Sequence, residues 1–135
     1  MGLVDPEKVV SCEQVREMAA GRIDVDNDRY RTPFDLCCRS LFKQIEHSCD
    51  VVLLGSIATP KYVEPLLEIF GERLLFPVEF VGRGDMSRGG LMLRAVEAEM
   101  ELVYAPVLNA IRHGARPPKL APAARNRNSS NSRPI

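Results

Sequence analysis

The run DVVLLGS (50–56) constrains the fold more than any other stretch of the chain. Val51 to Leu54 is a short, continuous apolar segment between Asp50 and Gly55. A strand with a solvated face alternates polar and apolar residues, and this one does not. It therefore predicts a strand buried on both faces at the centre of a parallel sheet, with helices on each side. The next residues agree. Thr59 and Pro60 are a helix cap and first helical residue, and an apolar stripe runs through Tyr62, Val63, Leu66, Leu67 and Ile69 to a stop at Gly71.

The same reading extends along the chain. Val9, Val10, Cys12, Val15, Met18 and Ala19 recur at helical spacing, which predicts a helix over 7–21 ended by Gly21. The acidic loop IDVDND comes next. Thr32 and Pro33 resemble a second cap and first turn, with Phe34, Leu36, Cys37, Leu41, Phe42 and Ile45 continuing to about His47. RLLFPVEFVG predicts an interrupted strand, because Pro77 cannot donate to a ladder and demands an edge, a bulge or a bend. A glycine loop, 82–90, precedes a helix over 88–100, and ELVYAPV predicts a last strand over 102–107.

This alternation specifies an α/β domain over residues 1–116. The expected architecture is a small, open, mostly parallel sheet of three or four strands flanked by helices, loosely Rossmann-like. So thin a sheet makes a homodimer an expectation. Residues 117–135 are expected to form a disordered basic tail, being rich in Pro, Ala, Arg, Asn and Ser.

Charge divides the chain. The formal net charge is zero, yet residues 1–111 hold 12 basic and 18 acidic residues, a net of −6. The six basic residues from Arg112 to Arg133 have no acidic residue among them. A cluster of this kind, with no aromatic interleaved, predicts at most weak, non-specific contact with nucleic acid. No apolar run approaches the ~20 residues of a membrane helix, and no apolar signal core opens the chain. The expected setting is cytoplasmic, with Cys12, Cys37, Cys38 and Cys49 as reduced thiols.

Two loops carry the chemistry. GSIATP (55–60) and GRGDMSRGG (82–90) each follow a predicted strand and precede a predicted helix, and ligands of parallel sheets bind at that rim. Glycines admit backbone N–H groups to an anion, and helix N-termini and arginines add positive charge. The expected ligand is an anionic small molecule bearing phosphate, such as a nucleotide or sugar phosphate. Arg83, Gly84, Ser87, Arg88 and Gly89 would bind it, assisted by Ser56 and Thr59. In a transferase or hydrolase Asp85 would be the catalytic acid, base or metal ligand. No cofactor is specified, and the loop matches neither the P-loop nor the dinucleotide pattern. The competing class is a non-catalytic assembly protein, in which an acidic body and basic tail mediate contacts and the loops are only turns.

Metal sites read poorly. Asp24, Asp26, Asp28 and Asp35 fall at calcium-loop spacing, but Arg29 stands where a sharp turn wants glycine, and Asp35 replaces the bidentate glutamate. His47-x-Cys49 lacks a C-x-x-C partner.

Overall fold

The structure is a computed structural model that describes residues 2–122. In chain order the elements are helix α1 (Cys12–Ala20), helix α2 (Asp28–Gln44), strand β1 (Val51–Val52), helix α3 (Pro60–Phe70), strand β2 (Leu74–Pro77), helix α4 (Asp85–Glu97) and strand β3 (Tyr104–Pro106). Helices plus a small sheet make an α/β fold, as expected. No helix of the described residues is long and apolar enough to cross a membrane.

The sheet has the order β1-β2-β3, so β2 is central and β1 lies at an edge. The centre is thus displaced from the expected position. The pattern is also mixed: β1 and β2 are parallel, β2 and β3 antiparallel. The reason lies in α4. The C-terminal half of this helix lines a cavity with Leu54, two residues past β1, and Tyr104, the first residue of β3. It thereby keeps the chain at the rim, and β3 starts there, Tyr104 opposite Pro77. A parallel third strand needs a crossover that returns the chain to the far end.

Pro77 bends the chain as its missing donor requires. The strand ends there, a 3-10 turn over Val78–Phe80 comes next, and the Val78 N–H donates to the Val103 carbonyl (2.9 Å). The core lies on one face of the sheet. Leu74 and Phe76 point from β2 into a cluster with Phe34 and Cys38 of α2 and Val63, Leu66 and Phe70 of α3, closed by Ile57 and Val107. The other face is half open. Val52 is 39% exposed and Leu54 54% exposed, so Val51–Leu54 is not buried on both faces.

Three helices start elsewhere than expected: α4 begins at Asp85 rather than 88, so residues 85–90 of the expected glycine loop are helical. Ser11 caps α1 in a capping box with Gln14, which excludes residues 7–10, and no α1 side chain is buried. Asn27, not Thr32, caps α2 by accepting from the Arg29 N–H (3.1 Å), which leaves Pro33 inside the helix. Pro33 falls in the second turn, where it removes one hydrogen bond. Beyond β3 the chain has no regular secondary structure through 122. The expected tail begins within this stretch, and its residues 123–135 lie outside the described residues.

Candidate functional site

Because β1 and β2 are parallel, the loops that follow them emerge at one end of the sheet. The first is shaped by Ser56, whose hydroxyl accepts from the Ala58 N–H (3.2 Å), and by Ile57, which is buried in the core. The second turns at Gly82, where φ is +73°, and enters α4 at Gly84 without a side-chain cap. Between them lies a cavity of about 460 Å³.

A third segment completes the cavity. After β3 the chain turns back to the rim and crosses Gly82 so closely that a Cβ there would stand 2.4 Å from the Ala115 carbonyl oxygen. Gly82 is thus required twice, by its backbone conformation and by this approach. The crossing carries Arg112 and Arg116 to the cavity wall beside Arg83. The Arg83 guanidinium donates to the Glu79 carbonyl (2.9 Å), to the Ser87 hydroxyl (3.2 Å) and to the Pro118 carbonyl (3.4 Å). Those bonds orient Arg83 across the rim. Among the described residues none of Arg83, Arg112 and Arg116 forms an ion pair. Among the described residues no aspartate or glutamate lines the cavity.

The expected site residues divide. Ser56, Arg83 and Gly84 line the cavity. Thr59 is an exposed cap of α3 whose hydroxyl makes no capping bond, and it does not line the cavity. Ser87 reaches the rim only as the acceptor of Arg83 and as part of an adjoining cavity. Gly89 lines neither. Arg88 is buried at 9% exposure, and its guanidinium donates to the Asp85 carboxylate and the Arg83 carbonyl. It staples the first turn of α4 and does not line the cavity. The Asp85 side chain is 94% exposed and engaged by Arg88, and it too is absent from the cavity wall.

Arg112 and Arg116 are the residues that sequence reasoning missed. Their signal was present, in the basic run without a single acidic residue, but that run reads only as a weak, non-specific contact with nucleic acid. The second signal is glycine: an added Cβ at Gly114 would meet Val81 at 2.9 Å, the counterpart of the contact at Gly82.

Two of the acidic residues at calcium-loop spacing have structural partners. Asp24 accepts from the Asp26 N–H (3.2 Å) and pairs with Arg22, while Asp35 is held in α2 by Arg31 (2.9 Å). Asp35 therefore does not join the acidic loop. Among the described residues no three His, Cys, Asp or Glu side chains gather in a metal-binding group. Cys38 is fully buried, and burial pushes its thiol up to about 11, far from a nucleophile's range. Comparison with protein families, with curated proteins and with solved structures finds no match to this chain.

Proposed function

We propose that the rim cavity binds an anionic, phosphate-bearing small molecule. One observation carries this reading: three arginines, Arg83, Arg112 and Arg116, surround a cavity of about 460 Å³ that no carboxylate of the described residues lines. A volume of this size suits a small metabolite. Guanidinium groups recognise phosphate by forked, charge-assisted hydrogen bonds, and the N-terminus of α4 at Gly84 adds partial positive charge. The chemistry favours binding over turnover. Ser56 supplies a hydroxyl, but no lining residue supplies a carboxylate, imidazole or thiol as general base. The four free cysteines suit a reducing, cytosolic setting.

The test is thermal stabilisation by inorganic phosphate, nucleotides and sugar phosphates. A ligand at 100 times its dissociation constant stabilises by about 2.7 kcal/mol. Arg116→Ala should weaken binding by roughly tenfold or more, the worth of one charge-assisted contact. Asp85→Asn should leave binding intact. A parent protein that none of these anions stabilises refutes the reading.

A second reading, assembly through the chain's own surface, is favoured by the half-open sheet face. Val52, Leu54 and Tyr104 are exposed there beside Val96 of α4. Apolar groups gathered on one surface suit a protein contact, and a homodimer is the simplest occupant.

A further inference from the structure

We infer that the rim site takes an elongated small molecule with a phosphoryl group at each end, rather than a single phosphate. The inference rests on the anion-binding reading above and specifies its ligand. A second cavity, of about 320 Å³, adjoins the first and shares Arg83, Gly84 and Arg116 with it. It continues along the flank of α4 past Ser87 and Gly90 to Arg94. Its opposite wall is the segment Pro117–Leu120. Two further cations, Arg94 and Lys119, line it, and again no carboxylate of the described residues does. Five cationic side chains thus line a trough bent around Arg83 and Arg116.

The trough is built, not incidental. Its outer wall is tied at two points, because Arg83 of the turn before α4 donates to the Pro118 carbonyl and Arg94 of α4 to the Ala121 carbonyl. Leu120 packs over Gly90, where an added Cβ would lie 3.4 Å from its Cδ1. Those ties set the length over which charge is presented. Gly84 opens the helix and Gly90 lies six residues on, which at 1.5 Å per residue is about 9 Å. One phosphoryl group cannot meet cations at both ends of such a span. Two groups joined by a spacer the size of a sugar can. A nucleic-acid strand is the less suited polyanion, since strand binding uses aromatic stacking surfaces and Phe80, the one aromatic among the described residues that line the trough, is buried at 3% exposure.

The experiment titrates the full chain with inorganic phosphate, a hexose monophosphate, the hexose phosphorylated at both terminal carbons, and a single-stranded oligonucleotide. The bisphosphate should bind at least about tenfold more tightly than the monophosphate, as one further charge-assisted contact implies. Lys119→Ala, at an exposed position, and Arg94→Ala should each weaken the bisphosphate more than the monophosphate and so narrow that gap. Arg112→Ala should weaken both sugars alike. Retained monophosphate binding also shows that each variant is folded. Equal binding of the two sugars overturns this inference and leaves the anion-site reading standing. A gap that survives both Lys119→Ala and Arg94→Ala does the same. An oligonucleotide that binds more tightly than the bisphosphate overturns the choice of a small molecule. Absence of binding by every anion overturns the underlying reading itself.

Discussion

Helices α3 and α4 occupy equivalent places in the chain and are held in opposite ways. Each follows one of the two parallel strands and starts near the same rim. Helix α3 buries Val63, Pro65, Leu66 and Phe70. Helix α4, two residues longer, buries only Arg88 and Leu91, and leaves Leu93 and Val96 exposed. The first is fixed by apolar area, the second by a guanidinium that ties its opening turn and by carbonyls of the crossing segment. Apolar burial is strong but indifferent to small shifts, whereas hydrogen bonds are weaker and fix direction. The element that shapes the arginine rim is the one held by directional bonds.

The largest effect should come from Phe70. It is buried beneath α3, tilted against Phe42 with ring centroids 6.0 Å apart. Phe70→Ala should cost about 3–5 kcal/mol, the usual result of emptying an aromatic site in a core. Leu91→Ala in α4 should cost about 2 kcal/mol, at the low end for leucine, because Leu91 lies outside the main cluster. Denaturant midpoints at unchanged m-value measure both. Equal losses break the contrast between the helices.

Arg88 should come next, and it separates a structural role from a binding one. Arg88→Ala removes the bond to the Arg83 carbonyl and the packing of a buried stem, for about 1–3 kcal/mol. The pairing with Asp85 adds little, since that carboxylate is exposed to water. Phosphate affinity should fall less than for Arg116→Ala, because Arg88 does not line the cavity. Arg88→Met should recover part of the stability through its stem. A variant of unchanged melting temperature that no longer binds phosphate would make Arg88 a ligand contact after all.

The pattern of success and failure in the sequence has one physical root. Helix α3 was legible to the residue, because Pro60 and Gly71 act locally and the apolar stripe has a single period. The rim was legible for the same reason, since Gly55 and the 82–84 turn must follow strands wherever those strands lie. Sheet order was not legible, because it depends on where α4 delivers the chain, and no local signal in 98–103 encodes that. Arg88 and Arg112 show the same limit in the site. Arg88 reads as a ligand contact and Arg112 as one of a basic run, and no local signal shows that Arg112, not Arg88, lines the cavity.

The smallest effect, and the one most exposed to correction, concerns Val52. Within VVLL nothing distinguishes it from its neighbours, and a carboxylate there should unfold a central strand. In the structure β1 is an edge strand, and successive residues point to opposite faces. Val51 packs against the core, while Val52 stands on the half-open face at 39% exposure. An aspartate at Val52 reaches water, so its carboxylate keeps most of its hydration. Val52→Asp should therefore cost about 1 kcal/mol, mainly in strand propensity, and leave the fold intact. The measurement is the denaturant midpoint at two protein concentrations. A loss as large as that of Phe70→Ala would show that the open face is covered in solution. If that loss shrinks on dilution, the cover is a second copy of the chain, because dilution removes the stability that the parent gains by association and brings it toward the variant.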